Sequence, residues 1–213
     1  MLMLHFLCVL RSGGIYTAEW VRKLRAGVAR HFPHDHVFDC LSDVPVPCNR
    51  IPLIHKWPGW WSKVEIFRPG VVVSPTVFLD LDTVIVGDLS PLQALDKDYA
   101  LLDLRGTGWA QLGAMFLKKP PVAVYERFAA DPEALMAFYK RHERGQYVGD
   151  QALWKDVVGH DNVPKLTDLL PGFFRSYKLH CRDGVPAGTS VVCFHGKPRP
   201  SEVSEPWMKA AWA

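Results

Sequence analysis

The stretch Val77-Phe78-Leu79-Asp80-Leu81-Asp82-Thr83-Val84-Ile85-Val86 constrains the fold more than any other part of the chain. Its apolar and β-branched run reads as a buried strand. Two carboxylates one residue apart do not fit a wholly buried strand, because burying unpaired charge is costly. The acids need water, a cation or hydrogen-bond donors. The economical solution is a central strand that ends at Leu79 or Asp80. Asp80 and Asp82 then sit at its carboxyl end, where open α/β sheets bind ligands. Two oxygen ligands so close together suit a hard divalent cation, Mn2+ or Mg2+, able to bridge to phosphate. Alone, an Asp-x-Asp is more often a strand end followed by an acidic turn, so the flanking chain has to decide.

Upstream, Leu4 to Leu10 reads as a strand, broken by Arg11-Ser12-Gly13-Gly14. Thr17 is placed to cap a helix in which Val21, Leu24, Val28 and Phe32 form one apolar stripe. Tyr16, just past the glycines, is positioned either to stack on a base or to pack at the helix start. His36 to Leu41 reads as a second strand. In the aromatic cluster that follows, Trp60, Val64 and Phe67 have helical spacing, and Pro69-Gly70 stops the helix. Trp57, Trp60 and Trp61 are placed either to stack on an acceptor sugar or to pack in the core, and core packing is the expectation. Lys63 points off the packed stripe, either to solvent or toward the carboxylates of the next strand.

Downstream, Tyr99–Leu104 and Gly113–Leu117 read as strands. Val122–Ala130 and Pro132–His142 read as helices, the second capped by Asp131 with proline at its first position. Gly149-Asp150-Gln151 leads into a short helix. The segment from Gly172 to Gly188 is irregular. A last strand, Ser190 to Phe194, runs into His195-Gly196-Lys197-Pro198. Alternating strands and helices argue for an α/β sheet.

The 213 residues suffice for one sizeable domain, and 48% hydrophobic with 22% charged residues is the balance of a soluble globular chain. A net charge of +3 gives no reason to expect nucleic acid or an anionic membrane as partner. The apolar start is short and interrupted by His5, so it reads as a first strand and not a signal peptide. No stretch approaches the length of a membrane helix. Five scattered cysteines without Cys-x-x-Cys spacing fit a reducing cytoplasm, which is the expected location.

The junction Phe194-His195-Gly196-Lys197 repeats the logic of the first: a buried-looking strand ends on polar residues. His195 is either a satisfied structural histidine or a ligand. Gly196 lets backbone approach a ligand closely, and Lys197 can act as a point charge on phosphate. Two carboxylates, an imidazole and a lysine would together bind a cation and a diphosphate, which is Lewis-acid assistance to a departing group.

With these motifs in this order, the sequence resembles the GT-A fold nucleotide-sugar glycosyltransferases, nearest to the family-eight enzymes that include glycogenin and bacterial galactosyltransferases. Leu79-Asp80-Leu81-Asp82 is similar to the family's metal-binding Asp-x-Asp, and Tyr16 to its base-stacking tyrosine. Lys63 stands where a basic residue reaches the nucleotide sugar. Gly113-Ala114-Met115 resembles the segment lining the donor sugar, and Gly149-Asp150-Gln151 the Asp-Gln pair beside it. His195-Gly196-Lys197-Pro198 resembles the carboxy-terminal His…Gly…Lys-Pro segment. That motif is compressed here, and Arg199 replaces the tryptophan that usually follows it.

The resemblance implies a single α/β domain over residues 1–213 with a mainly parallel central sheet flanked by helices. About 1–105 would form the nucleotide-sugar half, and about 106–213 the donor-sugar and acceptor half. It implies Mn2+ or Mg2+ held by Asp80, Asp82 and His195. It implies a nucleotide-sugar donor, UDP-sugar first, contacted by Tyr16, Lys63, Asp80, Gly113, Gly196 and Lys197. Asp150, Gln151 and Lys197 would serve the transfer, which would retain anomeric configuration, to a glycan, lipid-linked or protein acceptor. Two alternatives come with the same residues. Asp80-Leu81-Asp82-Thr83-Val84 also resembles the phosphoryl-accepting motif of haloacid-dehalogenase-like phosphatases, with Asp80 as nucleophile. A non-catalytic relative that only binds nucleotide or sugar is the other.

Overall fold

The computed structural model describes residues 3–140, 148–160 and 163–212. The chain opens with β1 (Leu4–Leu10), α1 (Ala18–His31), β2 (His36–Ser42) and β3 (Asn49–Pro52). A 3-10 helix over Gly59–Phe67 precedes β4 (Thr76–Leu79) and β5 (Thr83–Ile85). Next come β6 (Tyr99–Leu102), β7 (Gln111–Leu117), α2 (Val122–Ala130), α3 (Pro132–Phe138) and α4 (Asp150–Val158). The last part holds α5 (Leu166–Leu169), β8 (Phe174–Ser176), α6 (Tyr177–His180), β9 (Val191–Cys193) and α7 (Pro206–Ala211).

A six-stranded sheet has the order β3-β2-β1-β4-β7-β6. β1 pairs in parallel with β2 and β4, and β2 in parallel with β3. β7 runs antiparallel to both β4 and β6 at the other edge. The expected mainly parallel α/β sheet is therefore present. β1 reads as a nearly unbroken apolar run because both its faces are covered. Leu4, Phe6, Cys8 and Leu10 pack on one side with Val21, Leu24 and Val28 of α1. Leu7 packs on the other with Trp61, Phe67, Phe78 and Trp154.

The stretch from Val77 to Val86 is two strands in two sheets, not one. β4 ends at Leu79, and the amide of Thr83 donates to the Asp80 carbonyl at 3.0 Å, closing a tight turn around Leu81 and Asp82. β5 then joins a second, three-stranded sheet in the order β5-β9-β8. The turn thus bridges the two sheets and holds both acids at the carboxyl end of β4.

Several boundaries differ from the sequence reading. The segment after Trp57 is a 3-10 helix, with three residues per turn in place of 3.6. Trp61, Val64 and Phe67 therefore line up in the core, whereas Trp60 falls outside it at 55% exposure. Thr17 takes the cap position of α1 but its side chain makes no capping bond. Asp131 caps α3 through the amide of Ala134 at 3.1 Å. The helix expected to reach His142 is α3, ending at Phe138; residues 141–142 lie outside the described residues. Among the described residues no helix is long and apolar enough to cross a membrane.

Candidate active site

A cleft of about 780 Å³ opens at the carboxyl ends of β1 and β4. Arg11 to Tyr16 form one wall, and the 3-10 helix gives Trp60 and Lys63. The β4–β5 turn gives Asp80, Leu81 and Asp82, and the start of α4 gives Asp150 and Gln151. His195, Gly196 and Arg199 follow from beyond β9. A smaller hollow of about 440 Å³ beside Phe138, Tyr139 and Asp156 contains none of the sequence-predicted site residues.

Lys63 is the electrostatic centre of this cleft. Its ammonium lies 3.0 Å from Asp150 Oδ2 and 3.4 Å from Asp80 Oδ1. Burial alone would drive the ammonium toward neutrality, but the charges of Asp150 and Asp80 win and hold it well above the ordinary lysine range. Burial pushes the Asp80 carboxyl up to about 7; Lys63 opposes that shift, while the charges of Asp82 and Asp150 reinforce it. Asp80 is fixed from below, its amide donating to the Gly113 carbonyl at 2.9 Å.

Asp82 is buried, and its Oδ2 accepts the Tyr16 hydroxyl proton at 2.8 Å. Burial raises its pKa against the pull of that hydrogen bond, of Lys63 and of Arg199. Burial, followed by the Asp82 charge, in turn pushes the Tyr16 phenol far above its usual value. The Tyr16 ring packs edge-on to Trp20 at 5.0 Å between centroids. The polar end of Tyr16 therefore serves Asp82 while its ring, part of the cleft wall, packs against Trp20.

Asp150 is the first residue of α4, and its Oδ1 accepts from the Gln151 amide at 3.1 Å. Gly149 before it has φ 67° and ψ −143°, a conformation open essentially to glycine. A Cβ there would also lie 2.5 Å from Trp60 Nε1. His195 is pushed down to about 4 by burial and by the nearby charges of Arg105 and Lys178. Its Nε2 is buried with no hydrogen-bond partner among the described residues.

The structure thus brings Tyr16, Lys63, Asp80, Asp82, Asp150, Gln151, His195 and Gly196 to one cleft. Two predicted residues stand apart from it. Gly113 lies behind Asp80 and supports it through its carbonyl, without lining the cleft. Lys197 follows the turn at Gly196 (φ 67°) and points outward, 79% exposed, with Glu202 its nearest acid at 4.0 Å. Arg199 lines the cleft instead. Sequence reasoning noted Arg199 only as a departure from a motif; the run Lys197-Pro198-Arg199 offers two cations and no signal for which one turns inward.

The donor chemistry for a divalent cation is present: two carboxylates whose mutual repulsion a cation would relieve, and an orphaned imidazole nitrogen on the same cleft. Among the described residues no group of three or more His, Cys, Asp or Glu side chains lies close enough together to hold a metal ion, so His195 is not grouped with Asp80 and Asp82. Asp80 and Asp82 fit a cation that takes its remaining ligands from water or a bound anion.

No family model matches this sequence, and no curated protein matches it significantly. Solved structures do match. GlyE, a glycosyltransferase of Streptococcus pneumoniae TIGR4, aligns over 99% of this chain and 59% of its own, with TM-score 0.62 and 14% identity. LgtC, in the form of an active-site mutant, aligns over 96% of this chain and 93% of its own, with TM-score 0.62 and 12% identity. WbbM, a bifunctional glycosyltransferase, aligns over 99% of this chain and 51% of its own, with TM-score 0.59 and 12% identity. The chain therefore spans well under two thirds of the GlyE and WbbM structures. Its fold is the one these glycosyltransferases share, the GT-A arrangement that the motifs implied.

Proposed function

We propose that this chain is a glycosyltransferase that moves a sugar from a nucleotide diphosphate sugar, UDP-sugar first, to a glycan, lipid-linked or protein acceptor. The observation that carries the reading is the convergence of Tyr16, Lys63, Asp80, Asp82, Asp150 and His195, distant in sequence, on one cleft at the carboxyl ends of β1 and β4. The fold likeness to GlyE and LgtC supports it, as does the description of LgtC as a galactosyltransferase solved with donor and acceptor sugar analogs.

In this reading Arg11 to Tyr16 receive the nucleoside, and the Tyr16 ring offers a face for the base. Asp80 and Asp82 would hold Mn2+ or Mg2+, which when bound supplies charge to stabilise a departing diphosphate, and His195 lines the same cleft. Asp150, fixed by Lys63 and by its place at the start of α4, accepts hydrogen bonds from hydroxyls of the donor sugar. Lys63, held between Asp80 and Asp150, keeps the two carboxylates oriented while the ligand enters. Gln151 presents an amide, a poor nucleophile, so a covalent sugar intermediate on it is disfavoured. Retention then follows a front-face route, the departing phosphate taking the acceptor proton. Retaining glycosidases differ, since a second carboxylate attacks there. The likeness to glycosyltransferases leaves the phosphatase alternative without support.

The test is calorimetric titration of UDP into the protein with and without Mn2+, in wild type and Asp82→Asn. Binding that needs Mn2+ and is lost in the variant is the expected result. Absence of UDP binding in both conditions would reject the reading. UDP binding without transfer or hydrolysis across a panel of UDP-sugars would place the chain with the non-catalytic relatives.

A further inference from the structure

Three arginine or lysine side chains line the cleft among the described residues: Arg11, Lys63 and Arg199. Two are already engaged. Arg11 pairs with Asp43, which also accepts from the amide and hydroxyl of Ser12. Lys63 is held between Asp80 and Asp150. Arg199 makes no ion pair within 4.0 Å among the described residues, and its Nε is buried without a hydrogen-bond partner. The cleft also carries three carboxylates, Asp80, Asp82 and Asp150. An anion entering it needs a cation that these acids have not already taken up.

We propose that Arg199, and not Lys197, grips the diphosphate of the nucleotide sugar. The proposal rests on the transferase reading above. Arg199 lies within hydrogen-bond reach of the Tyr16 hydroxyl and close enough for its charge to act on the Asp82 carboxylate. Arg199 shares the cleft with Tyr16, Asp82 and Asp150, so a diphosphate bound between a base at Tyr16 and a sugar at Asp150 comes within its reach. A guanidinium presents a planar fork that matches phosphate oxygens two at a time, which a lysine ammonium does not.

The local chain is built to hold Arg199 in place. Pro198 and Pro200 flank it and fix their own backbone angles. The Arg199 amide donates to Glu202 Oε2 at 2.9 Å, and Pro200 opens a short 3-10 turn. Lys197, by contrast, sits 79% exposed before this braced segment, beside Glu202. Arg199 thus does by position the task that the motif alone would give to Lys197.

The test compares UDP and UMP binding by calorimetry, with Mn2+, in wild type, Arg199→Gln, Arg199→Lys and Lys197→Gln. The expected result is a loss of about tenfold or more in UDP affinity for Arg199→Gln, equivalent to about 1.4 kcal/mol. UMP affinity should change much less, so that the preference for UDP over UMP shrinks. Arg199→Lys should recover part of that preference, and Lys197→Gln should stay within about twofold of wild type. A change common to UDP and UMP, or an Arg199→Gln variant within twofold of wild type for UDP, would overturn the assignment to Arg199. So would a Lys197→Gln loss as large as that of Arg199→Gln. A wild-type protein that binds neither nucleotide would instead reject the transferase reading itself.

Discussion

Lys63 Nζ lies 3.0 Å from Oδ2 of Asp150, and so ties the 3-10 helix over Gly59–Phe67 to the first turn of α4. Both partners are largely removed from water, with side-chain exposures of 15% and 8%. Replacing Lys63 with Met strands Asp150, and in part Asp80, without a counter-charge. Breaking a buried pair from one side costs roughly 3–5 kcal/mol; the partial exposure of Asp80 puts the expected loss near ~3 kcal/mol. Urea unfolding at pH 7.5 measures it. The deficit should narrow as pH is lowered, because protonation removes the stranded charge. A loss below ~1 kcal/mol would show that Lys63 is a solvated lysine after all.

Legibility differed across the molecule for identifiable reasons. Asp80, Asp150 and His195 were readable as candidates because each interrupts or follows an apolar run at a point marked by turn or helix-start residues. β1 was readable as a long apolar run and α1 because its apolar stripe carries a clear period. The three-residue strands β5 and β8 hold too few positions for a period to show, and β9 was readable only as an apolar run from Ser190 to Phe194. Their pairing joins residues such as Thr83 and Cys193, whose partnership no local pattern encodes. Trp60 was assigned to the core because a 3.6-residue period was applied to a segment that winds at three. Arg199 and Lys197 lie two residues apart, and only the turn at Gly196 and the braced prolines decide which faces the cleft.

Removing the Tyr16 hydroxyl should act on Asp82 specifically. In Tyr16→Phe the ring and its edge contact with Trp20 remain, and the 2.8 Å bond to Asp82 is lost. A hydrogen bond to a charged group contributes about 1.5–3 kcal/mol, so a loss near ~1.5 kcal/mol is expected at neutral pH for this half-buried pair. That bond lowers the Asp82 pKa, so its removal should raise it further. A carbon-detected carboxyl titration of metal-free protein, wild type against variant, reads this directly. An unchanged or lower Asp82 pKa in the variant would refute the coupling.

Stability should also fall on the acid side through His180. Its Nδ1 accepts the Ser176 amide proton at 3.0 Å, which requires the neutral ring. Burial and the nearby charge of Arg175 hold its pKa below the ordinary value of 6.5. The unfolded chain therefore binds a proton before the folded one does as pH drops. The stabilising contribution is complete above about 6.5 and is lost as pH falls through the lower folded value. Asp80 and Asp82, with raised pKa values, act in the opposite sense in both proteins, so the test is the difference: on going from pH 7.5 to 5 the urea midpoint of wild type should fall relative to that of His180→Asn. Parallel slopes in the two proteins would exclude His180 as the source.

Gly149 and Trp60 should behave as a coupled pair. At Gly149 the backbone stands at φ 67° and ψ −143°, and an added Cβ would meet Trp60 Nε1 at 2.5 Å and Cδ1 and Cε2 at 3.0 Å. Gly149→Ala therefore carries two costs, a backbone conformation unfavourable to L-residues and a steric clash. The first alone amounts to roughly 1–3 kcal/mol. Trp60 is 55% exposed, so it can swing away, but doing so moves the cleft wall beside Gln151. In a Trp60→Ala background the clash is gone and only the backbone cost remains. A double-mutant cycle by urea unfolding should give a coupling of at least ~0.5 kcal/mol, with Gly149→Ala still destabilising in both backgrounds. Additive losses would mean that Trp60 does not press on Gly149. A Gly149→Ala variant as stable as wild type would mean that α4 begins in a different conformation.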